Sequence, residues 1–598
     1  MKIAYRNNGL ERVLTGVKGV SSMTVVASFV LLFGFYDPPV PPEVIFNVQL
    51  VMLFIFLAGK VIRLLNAESR REYIVANWYE IPMLAALGIV VVWSFWRGFG
   101  EIEPGRVRQL AVGIYLIIEV TTKIFMASVA LAATGRNPTK TLVGSFVVLI
   151  ATGAGLLMLP TATPGPESLR FVDSFFTATS ATCVTGLVVR NTGEDFTFLG
   201  QIIILVLIQL GALGIMVFGA VLALLLGQAF SLRESSVLQD MLNAQTLSRI
   251  GNIIAFIFIV TIVVEGLGAM ALLGMWDNVS TWDGETHSRI FYSIFHSISA
   301  FCNAGFDLTG SSLVPYSDSW QAYGVFCPLI ILGGLGFAVL YNIANALKDR
   351  LQLVIRKRLN QQYVFATEPP TRLRLQSKIV LSATIILILV GTVALLFFEH
   401  FSGRPERVGD LSLFGAFFQS VTARTAGFNT VPIAELTASS KTILILLMFI
   451  GGAPGSTAGG VKNVTLVILL MAVVAMLRKR GEVEIFKRSV RDVVVDRALT
   501  VVMLFVVVLF TSALALSVTE SPYPQGFTML DFMFEAASAL GTVGLSTGVT
   551  PTLTTAGKLI IIVVMLIGRL GPLTMVAALT FNMKPARYNY PDEAIIVG

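Results

Sequence analysis

The residue types that most often carry chemistry are few and dispersed in this chain. Its three cysteines, Cys183, Cys302 and Cys327, and three histidines, His287, His296 and His400, form no CxxC or HExxH spacing, so neither a metal site nor a redox pair is readable. Glycine recurs instead. Four short segments align: Ser180-Ala181-Thr182-Cys183-Val184-Thr185-Gly186-Leu187, Ser299-Ala300-Phe301-Cys302-Asn303-Ala304-Gly305-Phe306, Val421-Thr422-Ala423-Arg424-Thr425-Ala426-Gly427-Phe428 and Ser538-Ala539-Leu540-Gly541-Thr542-Val543-Gly544-Leu545. Their turn glycines lie 119, 122 and 117 residues apart, a period held over more than half the chain. The chemistry such a turn offers is that of its backbone. Glycine accepts positive φ, which lets consecutive carbonyls of a short extended stretch point the same way, and rings of inward carbonyls replace the water shell of a cation. On this reading the ion-binding residues are Val184, Thr185, Gly186, Asn303, Ala304, Gly305, Thr425, Ala426, Gly427, Thr542, Val543 and Gly544, with a cation held by backbone carbonyls only.

The elements that must position these turns are set by composition. The 598 residues are 55% hydrophobic and 13% charged, with net charge +7, against about 25% charged in soluble chains. This is a membrane protein, which excludes a cytosolic enzyme, a disordered scaffold and a secreted disulfide framework. The sequence pI of 9.2 does not call for nucleic acid, because Lys and Arg gathered on the cytoplasmic face of a membrane explain it. Apolar runs occupy 22–36, 45–65, 80–96 and 109–134, and from 141 onward one unit repeats four times: a long apolar run, a short one ending at a glycine turn, then another long run. The opening runs are 141–159, 250–275, 379–398 and 498–517; the closing runs are 199–227, 322–347, 440–476 and 556–581, of which only the third reads as broken internally. The pattern predicts an all-α membrane protein of twelve membrane helices: an additional bundle over 1–140, then helix–reentrant loop–helix repeats over 141–228, 249–347, 375–480 and 497–598 around a pseudo-fourfold pore. Irregular backbone at membrane depth is tolerated only when buried in protein or lining water, so the four turns share one axis. The short helix before each turn aims the negative end of its dipole there, which favours a cation. Each closing run also carries a GxxG, Gly211/Gly214, Gly333/Gly336, Gly452/Gly455 and Gly568/Gly571, read as close helix packing.

The third closing run cannot be continuous. Gly451, Gly452, Pro454, Gly455, Gly459 and Gly460 cost about 1 kcal/mol per glycine and about 3 for the proline in a helix, so an intramembrane loop over 451–462 is expected beside a water-filled cavity. Arg569 stands in an apolar stretch where a lone charge costs roughly 2.5–3.5 kcal/mol. It is expected to face the cavity, bond the loop carbonyls and raise a positive barrier; the alternative is a structural pairing with Glu265. The gate set on this reading is Gly452, Gly455, Ser456, Thr457, Gly459, Gly460, Lys462 and Arg569. Gly455 to Gly460 also resembles a Walker A loop, but Val461 occupies the position of the required Lys.

With these motifs in view, the chain resembles the Trk/Ktr/HKT superfamily of potassium transporters over about 141–598, and in particular the bacterial Trk/Ktr ion-conducting subunit. The four filter-like turns carry the resemblance, together with Gly451 to Lys462, Gly568-Arg569-Leu570-Gly571-Pro572 and the tail Tyr590-Pro591-Asp592-Glu593 running to Gly598. Of the four, only Thr542-Val543-Gly544 comes close to the TVGYG of potassium channels. The resemblance implies potassium as the transported ion, because sodium-admitting members have Ser where this chain has Gly186. It implies that 451–462 is the gating loop, that the subunit forms a homodimer, and that it rests on a cytosolic ring of nucleotide-binding regulatory subunits. A sodium-permeable transporter, or one with proton or sodium coupling, is the alternative within the same fold.

Lysines and arginines crowd 348–378 and 478–497, which puts both connections, and with them both termini, on the cytoplasmic side of the plasma membrane; attraction to anionic lipid explains those charges as well as docking does. Met1–Lys18 is similar to a signal n-region but lacks a small-residue cleavage site, so a retained first helix is expected. The first 140 residues carry no Arg or Lys at every third position, as voltage sensing requires, and read as a structural or dimer-flanking bundle in which Glu119 and Lys123 neutralise each other. Glu194, Asp195 and Asp307 either concentrate cations at the mouth or line a solvated loop. Thr425 and Asn429 are similarly open. Arg424 needs a partner, for which Glu535 is the candidate. An intramembrane enzyme would need convergent His, Asp, Glu, Cys or Ser groups, which the sequence does not offer.

Overall fold

The computed structural model describes residues 5–78, 80–96, 107–120, 122, 138–165, 168–214, 220, 250–276, 286–358, 372–401, 411–521 and 526–579. The carboxyl-terminal tail, Lys123 and residues 359–371 of the 348–378 connection lie outside the described residues. What is described is helical apart from one short antiparallel hairpin, Val483–Ile485 with Arg488–Val490, in the second basic connection.

Four opening helices, Pro138–Leu157, Ile250–Leu272, Leu375–His400 and Asp492–Thr519, each pack on the short helix that follows, Phe171–Cys183, Thr286–Cys302, Leu413–Thr422 and Met529–Gly541. The opening helices expose apolar side chains such as Ile259, Leu389 and Val507 outward, as elements facing lipid do. The short helices are buried toward their carboxyl ends, while residues at their amino ends, such as Phe171, Leu413 and Phe414, are exposed. They form the centre of the main core, where Phe176, Phe295, Phe532 and Phe534 are fully enclosed.

The closing runs depart from expectation. Among the described residues six helices are long and apolar enough to cross a membrane, and a seventh span is a pair, Ala322–Leu335 and Phe337–Ile355, bent by 102°. The run that reads as continuous in the second repeat is therefore broken, and so are the others. Phe198–Leu213 ends at Gly214 (φ 79°, ψ 136°), Cys327–Leu335 at Gly336 (84°, 140°) and Thr555–Leu570 at Gly571 (84°, 138°). This conformation is open to glycine and costly to other residues, and it recurs at the second glycine of each of these GxxG pairs. The first glycine has the packing role expected of it: a Cβ on Gly211, Gly333 or Gly568 would run into the carbonyl of Thr182, Phe301 or Leu540, each four residues before a turn glycine.

The amino-terminal helices Asn8–Phe33 and Pro42–Asn66 pack with the helix over 107–120 around Val25, Leu53, Phe56 and Leu116. The first helix starts earlier than its apolar run, because Lys18 is neutralised inside the bundle. Glu119 pairs with Lys18 at 2.9 Å and Lys60 at 3.0 Å, partners that come from two other helices. The bundle is tied to the first repeat by Tyr36, whose hydroxyl donates to Thr163 O at 2.7 Å, and by Thr161, which donates to Phe33 O at 2.6 Å.

Candidate functional site

The short helices stop just ahead of the turn glycines, and their last carbonyls are capped by the turns themselves. Thr185 N donates to Ser180 O at 2.8 Å, Ala304 N to Ser299 O at 2.7 Å and Val543 N to Ser538 O at 2.8 Å; the third turn differs, with Ala426 N on Thr422 O at 2.9 Å. In all four, two residues take positive φ with one ordinary residue between them: Val184 57° and Gly186 87°, Asn303 59° and Gly305 68°, Thr425 87° and Gly427 81°, Thr542 50° and Gly544 94°. Three of the non-glycine residues are β-branched, for which this region is a true outlier costing about 1–3 kcal/mol each. Such strain persists only where the surroundings over-determine it.

The surroundings are the other turns. A Cβ built on Gly186 would lie 3.0 Å from Gly305 Cα, one on Gly305 3.0 Å from Gly427 Cα, one on Gly427 3.3 Å from Gly544 Cα, and one on Gly544 3.0 Å from Gly186 Cα. The four glycines thus close a ring in chain order. Each hypothetical methyl also meets the carbonyl of the residue before the next glycine: Ala304, Ala426, Val543 and Thr185 in turn. No side chain fits, and backbone oxygens from four distant segments are brought to one narrow place.

The segment from Gly451 to Lys462 is a loop between the helices Ala438–Phe449 and Asn463–Leu477. Its stem is closed by Gly451 N on Val461 O at 2.9 Å and Asn463 N on Gly452 O at 3.1 Å. Its tip docks on the break in the second closing run: Ala453 N donates to Gly334 O at 2.9 Å, Phe337 N to Gly455 O at 3.1 Å and Thr457 N to Gly333 O at 3.4 Å. Ser456 folds back, its hydroxyl on Ala453 O at 2.6 Å, and Lys462 Nζ donates to Ala458 O at 2.7 Å. Gly459 and Gly460 lie against the fourth turn, where a Cβ on Gly459 would strike the Thr542 hydroxyl and one on Gly460 would sit 3.5 Å from Gly541 Cα.

Arg569 reaches the loop from the last closing helix. Its guanidinium donates to Thr457 O, to Gly211 O at 2.7 Å and to Ala212 O at 3.1 Å, linking the loop to the end of the first closing helix. The alternative pairing with Glu265 does not occur; that carboxylate accepts from Gln209 Nε2 at 3.4 Å and lies beside the Cys302 thiol. Nor does Glu535 meet Arg424. Its oxygens accept from Ser546, Thr547 and Thr550, while Arg424 is buried with its Nε unpartnered among the described residues. The carboxylates near the mouth order their own loops: Asp195 accepts from Asn191 N at 2.8 Å and Asp307 from Ser312 N at 3.0 Å. Asn429 likewise links two loops, its backbone N–H donating to Ser312 Oγ and its side-chain amide to Val431 O.

Sequence reasoning missed three features. One is the docking of the loop on Gly333 to Phe337, whose only signal is the shared GxxG register. Another is that Asn303 turns its side chain to Thr457 of the loop, 3.3 Å away. The third is His296, which pattern reading left stray and which donates through Nδ1 to Tyr292 O at 2.8 Å and accepts Leu308 N at Nε2 at 3.3 Å.

Residues 108–589 match the family TrkH, described as cation transport protein, so the likeness starts earlier than residue 141 where the motifs place it. The chain is 37% identical over 467 residues to the Ktr system potassium uptake protein B of Bacillus subtilis (strain 168), covering 77% of this chain and 97% of that protein. It is 36% identical over 467 residues to the potassium/sodium uptake protein NtpJ of Enterococcus hirae, with the same coverage of 77% and 97%. In fold it is similar to the crystal structure of the potassium transporter TrkH from Vibrio parahaemolyticus, with TM-score 0.53 and 19% identity over 85% of this chain and 97% of that one. A match over most of the chain to one family, with relatives above 30% identity covered almost end to end, leads to one conclusion: the chain belongs to the TrkH family of cation transport proteins.

Proposed function

We propose that this protein is a potassium uptake subunit in which the four turns form a carbonyl filter and the loop over 451–462, pinned by Arg569, closes the path beneath it. The observation that carries the reading is the closed ring of Gly186, Gly305, Gly427 and Gly544, which leaves Thr185, Ala304, Ala426 and Val543 to present oxygens and nothing larger. A dehydrating cation finds there what it loses from water. Arg569 supports the gate assignment because its donors are spent on loop and helix-end carbonyls while its charge stays at the path, a barrier to any cation. Lys462 adds a second positive group on the same loop. Flow needs no nucleotide site in this chain: an inside-negative potential supplies about 2.3 kcal/mol per charge per 100 mV.

The same reading makes 141–228, 249–347, 375–480 and 497–598 the four pore repeats and 1–140 an accessory bundle. Both termini are cytoplasmic, and a homodimer sits on a ring of cytosolic nucleotide-binding subunits docked against the basic connections. Potassium is the cargo on this reading, since two relatives at 37% and 36% identity are named a potassium uptake protein and a potassium/sodium uptake protein. The name of NtpJ includes sodium, so sodium permeation or coupling is the second reading. The test is growth of potassium-uptake-deficient bacteria at low external potassium: rescue by the wild-type chain supports the assignment, and rescue only when sodium is abundant, with sodium accumulating, supports the second.

A further inference from the structure

The ring is similar in its backbone in all four repeats but not in what holds it. In the second repeat His296, nine residues before Gly305, accepts the backbone N–H of Leu308, three residues after it, at 3.3 Å. In the fourth, Glu535, nine residues before Gly544, accepts the N–H of Thr547, three residues after it, at 2.9 Å. One donor position and one acceptor position are thus used by two unrelated side chains. The His296 tautomer fits this role: Nδ1 faces the Tyr292 carbonyl, so it carries the proton and leaves Nε2 as an acceptor. Glu535 takes further bonds from Ser546 Oγ and Thr550 Oγ1, both at 2.6 Å.

A second tie falls in the same two repeats. Ser299, six residues before Gly305, donates to Phe306 O at 2.8 Å, and Ser538, six before Gly544, accepts Gly544 N at 3.0 Å. The first repeat has Thr177 and Ser180 at these positions, and both hydroxyls are buried without a hydrogen-bond partner among the described residues. The third has Phe418 and Val421, which cannot bond. Because the glycines follow one another round the ring in chain order, the second and fourth turns are opposite each other. They are also the turns that meet the loop, through Asn303 on Thr457 and Thr542 beside Gly459.

We infer that the filter is braced by its own short helices along one diagonal only: His296 and Glu535 are positioning residues that hold the strands leaving Gly305 and Gly544, and the strand leaving Gly427 is tied through Asn429 to the loop of the second repeat, so that selectivity rests on the second and fourth turns while the other two follow. The inference rests on the filter reading of the ring.

The experiment measures potassium, rubidium and sodium uptake by the full-length protein in proteoliposomes. Glu535→Leu and His296→Leu, which remove the acceptor, are expected to lower potassium-over-sodium discrimination about five- to tenfold, the effect of losing one buried hydrogen bond to backbone, with maximal rubidium flux kept within about threefold. His296→Gln and Glu535→Gln, which retain an acceptor, keep discrimination. Thr177→Val, at the equivalent position of an unbraced repeat, leaves it unchanged. Should Glu535→Leu fail to fold, Thr550→Val removes a single donor to the same carboxylate and is expected to show a smaller loss in the same direction. Unaltered discrimination in Glu535→Leu or Thr550→Val and in His296→Leu, or equal loss in Thr177→Val, overturns the brace. A wild-type protein that fails to discriminate at all overturns the filter reading itself.

Discussion

Two stretches of irregular backbone lie side by side in this protein, the ring of turns and the loop beneath it, and they are held in opposite ways. Each turn is capped by its own short helix and wedged between two other turns, so that a Cβ on Gly186 or Gly427 would strike a carbonyl of the neighbouring turn. The loop is held mostly by single backbone bonds to distant segments and by two cations, and Gly455 at its tip has positive φ but nothing within 4 Å of an added Cβ. A segment fixed by interlocking backbone must move with its neighbours or not at all; a segment docked by a few separable bonds can leave as a unit. The contrast assigns selection to the ring and movement to the loop.

The sharpest way to break that contrast is to put the same methyl in both places. Gly427→Ala combines φ 81° with a collision and should abolish uptake, at least a hundredfold loss in initial rate. Gly455→Ala, with φ 71° and open space, carries only the left-handed penalty of about 1–2 kcal/mol and should leave uptake within a few fold. Equal losses would remove the distinction. Next in size is release of the loop: Arg569→Ala, or deletion of Gly455 to Gly460, should raise basal rubidium flux about tenfold or more, about 1.4 kcal/mol on the closed state. Unchanged flux in both would take the gate away from this loop. A smaller increase, about two- to fivefold, is expected of Gly336→Ala, because an added methyl would sit 2.8 Å from Pro454 O at the docking point.

The smallest effect on transport should come from the amino-terminal bundle. Removing one partner of a buried ion network typically costs about 3–5 kcal/mol, and Lys60 serves Glu119, Glu80 and Tyr115 together. Lys60→Met should therefore lower the melting temperature in detergent while leaving uptake per folded molecule unchanged. A proportionate loss of uptake by folded protein would give the bundle a transport role.

What could be read from sequence follows the size of the energy involved. Six residues of glycine and proline in ten make a helix untenable, and a lone Arg569 in apolar sequence must find carbonyls or water; both are strong local terms. The breaks at Gly214, Gly336 and Gly571 were not legible, because one glycine costs a helix about 1 kcal/mol and cannot end it without the tertiary contact at the preceding glycine. The pairing of Glu119 with Lys18 and Lys60 was hidden for a related reason: any charge within one turn looks like its partner until packing selects among them. The brace residues His296 and Glu535 differ in type, so alignment of the repeats conceals a shared position that only hydrogen bonding reveals.

The central claim is that backbone oxygens of four distant segments hold one dehydrated cation. Crystals of the full-length protein grown in thallium, a potassium mimic with a strong anomalous signal, test it directly. The account predicts an anomalous peak inside the ring, within about 3 Å of the carbonyls of Thr185, Ala304, Ala426 and Val543, by analogy with carbonyl filters in general. Thallium bound only at side-chain carboxylates elsewhere, with no peak between the four glycines, would contradict it.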